Sequence, residues 1–255
     1  MAFVTTSTGA TLFYETYGDP SARPLVLIHG WLGTGEENFP DLIPVLAQTY
    51  HVFTPTRRGY GESLPKPRDY PFDFYHRDAR DMLAFMDALN IEKAHFVGYS
   101  DGGETVLVMA GLSPERCYST VAWGAVGYYG PAMLDVIKNT YPPTWLDQET
   151  KDLNHLDDAS ANQLVLGWVN AVRHMINNGG DVSLSLAKNI SAPLLLLLGD
   201  QDRLNPEVYG QNLVNQTAHG QLVMFPCGHS IHREKREEFT AVVTAFLTQV
   251  DASSA

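Results

Sequence analysis

Cysteine is nearly absent: Cys117 and Cys227 are the only two in 255 residues, too few for a disulfide framework. Cys117 follows a helix end at Ser113-Pro114 and reads as a buried thiol. Cys227 reads as a loop filler, because neither a base nor a sharp turn accompanies it. No apolar stretch approaches the roughly 20 residues of a membrane span. The opening segment, Met1 to Gly9, lacks the charged start and apolar core of a secretory signal. Positive charge is scarce, 17 Lys and Arg against 29 Asp and Glu. The net charge of −12 argues against a nucleic-acid partner and gently attracts cations. The nine histidines contain no H-E-x-x-H pair, and no CxxC accompanies them, so neither a metal nor a cofactor is expected. These absences leave a cytoplasmic protein that handles a small molecule and touches neither membrane nor nucleic acid. Its oligomeric state is not expressed in the sequence.

Hydrophobic residues make up 44% of the chain, enough for one large core at a length where single cores stop growing. Residues 12–17 read as a strand that ends at Gly18-Asp19-Pro20 and pairs as a hairpin with a strand at 24–28. Further strands are expected at 51–54, 94–97, 119–123, 194–198 and 221–225. Ala79, Met82, Leu83 and Met86 share a helix face, as do Phe239, Val242, Val243, Phe246 and Val250 in a closing helix. Residues 251–255 read as a frayed tail. Strands alternating with helices imply an α/β class, a mostly parallel sheet covered on both faces. The alternation stops after Gly127, where Tyr128-Tyr129-Gly130-Pro131 and Tyr141-Pro142-Pro143-Thr144-Trp145 interrupt helical runs such as 164–175. Residues 128–190 are therefore expected to form a small helical cap on a core made of 1–127 and 191–255.

The densest signal is Gly98-Tyr99-Ser100-Asp101-Gly102-Gly103, set between a short apolar strand and a longer apolar helix. G-x-S-x-G in that context is a nucleophile elbow, a strained turn that lifts the serine hydroxyl above the sheet. Asp101 is the competing nucleophile. For Asp101 to occupy the apex, position 99 would have to be small, and it is Tyr99. Ser100 is the residue framed by glycines.

A serine hydroxyl needs a base to take its proton and a carboxylate to orient that base. The expected chain order is serine, acid, histidine. Asp200 and Asp202 follow one apolar strand, and His229 follows the last. Both segments lie past carboxyl ends of strands, the edge where open α/β sheets bind ligands. Asp202 is preferred because Asp200, nearer the strand end, is suited to stabilising the loop. His229 is preferred over His232, placed on the closing helix, and over His219 in a polar loop. His29-Gly30-Trp31-Leu32-Gly33 follows the 24–28 strand, and its Trp31 amide, with that of Asp101, is expected to form an oxyanion hole. His29 reads as structural.

The chain resembles the α/β-hydrolase-fold serine hydrolases from about Thr11 to the last helix. More narrowly it is similar to the valacyclovir hydrolase (biphenyl hydrolase-like) group. That similarity is carried by Gly33-Thr34-Gly35-Glu36-Glu37-Asn38-Phe39, Arg58-Gly59-Tyr60-Gly61-Glu62-Ser63, Phe72-Asp73-Phe74-Tyr75-His76-Arg77-Asp78-Ala79-Arg80-Asp81 and the elbow itself. The resemblance implies hydrolysis of small carboxylic esters, with α-amino acid esters as the narrower class. In that group the acidic residue after the nucleophile contacts the substrate ammonium, and Asp101 stands there. The alternative is that Asp101 lends only its amide while its side chain satisfies a neighbour. Trp31, Tyr128, Tyr129, Trp145 and Trp168 are candidate pocket walls beside Asp101. One departure stands out: where the family carries an aspartate two positions before the Arg-Gly turn, this chain has Thr56, followed by Arg57. A ligand-sensing receptor on the same fold, or a hydrolase of lactones, thioesters or C–C bonds, would carry the same three residues.

Overall fold

The computed structural model describes residues 2–131 and 133–253. Eight strands form one sheet: β1 (Ala2–Thr5), β2 (Thr11–Tyr17), β3 (Pro24–Ile28), β4 (His51–Pro55), β5 (Ala94–Tyr99), β6 (Cys117–Trp123), β7 (Leu194–Gly199) and β8 (Gly220–Phe225). Their order is β1-β2-β4-β3-β5-β6-β7-β8, antiparallel at β1–β2 and β2–β4 and parallel elsewhere. The hairpin expected between β2 and β3 does not exist. The chain after β2 crosses to β3, and β4 then inserts between them, pairing antiparallel with one and parallel with the other. A short loop suggested a hairpin, but a wholly apolar β3 belongs inside the sheet, flanked on both sides. The amphipathic N-terminal strand β1, half exposed, gave no comparable signal in the sequence.

Helices α1 (Gly35–Asn38), α2 (Leu42–Leu46), α3 (Phe74–Ala88), α4 (Asp101–Leu112), α5 (Met133–Lys138), α6 (Gln148–Leu153), α7 (Asp158–Asn177), α8 (Glu207–Asn215), α9 (Ile231–Glu234) and α10 (Arg236–Ser253) complete the fold. Among the described residues none is long and apolar enough to cross a membrane. The continuous apolar strands serve two cores at once. Val26, Ile28, Phe96, Leu194 and Leu196 face one cluster with α3, α4 and α7, while Leu25, Leu27, Val97, Leu195 and Leu197 face another with α2 and α10. Each such side chain taken from water is worth about 1.5–3 kcal/mol. Helices α5, α6 and α7 and a 3₁₀ turn, Leu184–Asn189, lie between β6 and β7. Asp157 begins α7 with a capping box, its carboxylate accepting the Ser160 N–H at 2.7 Å.

Ser254 and Ala255 of the expected tail lie outside the described residues, and Asp251 is not frayed. It lies in α10, accepts the Tyr50 hydroxyl at 2.8 Å, and pairs with Arg23. Its Oδ1 lies 3.1 Å from Nε2 of buried His95, whose Nδ1 lies 2.8 Å from the Ser119 hydroxyl. A carboxylate can only accept, so His95 carries its proton on Nε2 and is neutral. Burial pushes its pKa down to about 4, against the raising effect of Asp251. The unfolded value lies near 6.5, so between pH 6.5 and 4 the unfolded chain binds the extra proton and stability declines as the pH is lowered. The slope for one such histidine is about 1.4 kcal/mol per pH unit. His95→Gln should flatten the fall by that amount, read as the difference in urea unfolding free energy between pH 6 and pH 4.5. An identical pH dependence in the variant would contradict the neutral, buried assignment.

Candidate active site

Four loops at the carboxyl ends of β3, β5, β7 and β8 converge. The first is the elbow between β5 and α4, where Ser100 adopts φ 54° and ψ −120°. Such backbone costs on the order of 1–3 kcal/mol and survives only where its surroundings enforce it. Here they do. A Cβ at Gly98 would stand 2.3 Å from the Gly102 carbonyl oxygen, and one at Gly102 would stand 2.1 Å from that of Ile28. The Ser100 N–H donates to the Trp123 carbonyl at 2.8 Å, fixing the apex against β6.

His229 Nε2 lies 2.9 Å from Ser100 Oγ, and His229 Nδ1 lies 2.7 Å from Asp202 Oδ2. The carboxylate accepts, so Nδ1 holds the proton and Nε2 is left to accept from the serine. Asp202 is buried and also accepts from the Leu204 amide at 2.8 Å and the Asn205 side chain at 2.9 Å. Burial opposes its charge, yet the hydrogen bond and charge of His229, with those from Asn205 and Leu204, hold its pKa below the usual value. Asn205 escaped the sequence reading. It also lies 3.4 Å from His229 Nδ1 and lines the cavity, and a lone asparagine in a polar loop carries no pattern that would mark it.

The competing residues have other occupations. Asp200 is exposed and its amide donates to the Phe225 carbonyl. His232 lies on α9, not on the closing helix. Its Nδ1 accepts the Trp123 indole N–H at 3.0 Å, and burial pushes its pKa down to about 3. His219 is exposed. His29 is fully buried; its Nε2 accepts the Arg57 amide at 2.9 Å and its Nδ1 donates to the Gly30 carbonyl at 2.8 Å. Burial, then the charge of Arg57, hold it neutral. That contact also answers the Thr56 departure. Without an aspartate, the turn is pinned by the Arg57 amide on His29 and by the Arg57 guanidinium on Gly30 O at 2.9 Å and Asp78 at 3.2 Å.

Above Ser100 opens a cavity of about 480 Å³. Trp31, Asp101, Trp145 and Trp168 line it, with Trp31 stacked on Trp168 at 4.4 Å. So does Tyr129, but Tyr128 does not: it bridges to Asp181 and packs edge-on against Tyr209 at 4.9 Å. The Gly30 amide is spent on Asn38 Oδ1 at 2.7 Å, which fixes the loop that carries Trp31. Asp101 opens α4 at the cavity floor and is buried. Its Oδ1 accepts from Tyr75 at 2.6 Å, while Oδ2 makes no hydrogen bond and lies 3.8 Å from Arg57 Nη1. Burial raises the Asp101 pKa despite Arg57, the Tyr75 hydrogen bond and Arg68. Among the described residues no group of three or more His, Cys, Asp or Glu is placed to hold a metal ion.

Known proteins share this arrangement of strands and loops. A family profile described as the alpha/beta hydrolase fold matches residues 23–171. Serine hydrolase BPHL of Homo sapiens is 30% identical over 251 residues, 94% of this chain and 84% of that protein. The 3-oxoadipate enol-lactonase 1 of Acinetobacter baylyi is 27% identical, covering 97% of each. A hydrolase of Pseudomonas aeruginosa superposes with a TM-score of 0.76 at 25% identity, over 96% of this chain and 97% of that one. Family profile, full-length relatives and sheet topology agree, and this chain belongs to the α/β hydrolase fold family and is a hydrolase.

Proposed function

We propose that the protein is a serine hydrolase of small carboxylic esters that works through an acyl-enzyme on Ser100. The observation that carries this reading is the unbroken relay of 2.9 Å and 2.7 Å from Ser100 through His229 to Asp202, at the floor of the cavity. In the first step His229 Nε2 takes the hydroxyl proton as Ser100 Oγ bonds to the ester carbonyl carbon. Negative charge passes to the carbonyl oxygen, where the Asp101 and Trp31 amides receive it. Fixed donors of this kind act without reorganising, and losing one costs about 3–4 kcal/mol. Collapse breaks the bond to the alcohol, which leaves with the proton from His229. A water molecule, deprotonated by the same imidazole, then bonds to the acyl carbon, and collapse breaks the carbon's bond to Ser100 Oγ, which regains the proton from His229 as the acid leaves. Asp202 holds the tautomer and balances the transient imidazolium. Residues 128–190 serve as a cap on the core of 1–127 and 191–255, bringing Trp145 and Trp168 over the acyl group.

Ser100→Ala should lower kcat on a nitrophenyl ester by about four to six orders of magnitude, while wild type completes many turnovers. A variant that keeps ordinary turnover would end the proposal. A single burst followed by a stall in wild type would point to a ligand-sensing receptor instead.

A narrower substrate, the α-amino acid ester, is favoured by one observation: Asp101 Oδ2 lacks a hydrogen bond while the residue lines the cavity beside Ser100. A substrate ammonium would supply the missing donor. Comparing an aminoacyl ester with its des-amino analogue should give wild type a preference of about tenfold or more for the cation, and Asp101→Asn should erase it. The same preference ratio in both enzymes would remove Asp101 from substrate recognition.

A further inference from the structure

Glu104 lies on α4 one turn beyond the elbow, its amide donating to the Ser100 carbonyl at 2.9 Å. It is buried and forms no ion pair among the described residues. Its carboxylate instead accepts two backbone N–H groups: Oε1 takes Val126 at 2.9 Å and Gly127 at 3.2 Å, and Oε2 shares Gly127 at 3.1 Å. Those amides sit where the chain leaves β6 for the inserted helices. The insertion comes back to the same place. Val182, Ser183 and Leu184 all donate to the Gly127 carbonyl, at 3.1, 3.0 and 3.1 Å, and Tyr129 donates to Gly180 at 2.7 Å. Both ends of the insertion therefore meet on one short stretch, and one carboxylate holds that stretch to the nucleophile helix. Upstream, Gly124 packs against the His229 imidazole so closely that a Cβ would stand 2.8 Å from Cε1. Two residues downstream of Gly127, Tyr129 forms cavity wall.

We infer that Glu104 is a positioning residue: its carboxylate clamps the neck of the insertion, setting Gly124 against His229 and Tyr129 in the cavity wall, and protonation releases the clamp. An ionised carboxylate offers both oxygens to the two amides. Protonation at Oε2 removes its bond from Gly127 and leaves Oε1 a neutral acceptor, so the bonds that remain lose their charge assistance and the clamp loosens. Groups facing Glu104 do not supply a cation. Asp101 comes from its own helix, Tyr75 from α3, and Tyr129 from the insertion. Burial pushes the Glu104 pKa up to about 7, opposed by the Val126 and Gly127 amides and reinforced by Asp101. The neck is thus held above neutrality and loosened below it.

Hydrogen exchange of the Val126 and Gly127 amides, corrected for intrinsic rates, tests this in the wild-type chain without any substrate. Protection should rise about tenfold from pH 6 to pH 8.5, in line with a regained charged hydrogen bond. In Glu104→Gln it should not vary over that range. The second readout rests on the ester-hydrolase reading: KM for a nitrophenyl ester should fall as pH rises in wild type, and Glu104→Gln should remove that dependence. Equal protection at both pH values in wild type, or an unaltered KM profile in Glu104→Gln, would overturn the inference. If no ester is turned over, the exchange result still decides it; if Glu104→Gln does not fold, wild-type exchange decides it alone.

Discussion

Lack of room at one turn governs the site. The elbow can exist only because Gly98 and Gly102 carry no side chain where β3, β5 and α4 come within touching distance. The same crowding leaves Ser100 no relaxed backbone conformation and no direction for its side chain except out of the sheet. From that, the rest follows in order. The hydroxyl meets an imidazole carried by the last strand's loop, and the imidazole meets a carboxylate carried by the previous one. A parallel sheet is what sends all of these loops to one edge.

Behind the cavity floor lies a second layer of organisation. Arg57 and Arg68, Asp78 and Asp101 are all buried, with Arg68 on Asp78 at 2.6 Å and Arg57 on Asp78 at 3.2 Å. Two cations and two carboxylates balance, so the cluster is tolerable in a dry interior, whereas removing one partner strands the others at a cost of about 3–5 kcal/mol. Tyr75 ties this cluster to Tyr129 as well as to Asp101. Trp31 joins through its indole N–H on Tyr70 at 2.9 Å. The polar floor therefore reaches two separate walls of the cavity, at Tyr129 and at Trp31.

Local chemistry made part of this legible in advance. Glycine spacing around Ser100, wholly apolar strands, and polar residues just past strand ends are written in adjacent letters, and they single out the elbow, Asp202 and His229, which the fold brings into hydrogen-bond contact. Features that depend on distant partners were not legible. β4 slips between β2 and β3 because sheet order is settled by burial of whole strands rather than by loop length. Tyr128 and Tyr129 are equivalent as letters, and only the backbone bridge to Asp181 turns one outward and the other toward the cavity. Asp251 looked like an end because the residues that hold it, Arg23, Tyr50 and His95, lie hundreds of positions away or nearly so. Asn205 and Glu104 act through backbone amides and neighbouring side chains that no motif announces.

The contact of His95 with Ser119 and Asp251 repeats, at the opposite edge of the sheet, the same three residue types at similar separations. Yet Ser119 has no exposed surface, whereas Ser100 and His229 line a cavity. The two trios form an internal control: one is a rivet, the other faces a pocket. Residue triplets alone do not distinguish them; access to a pocket does.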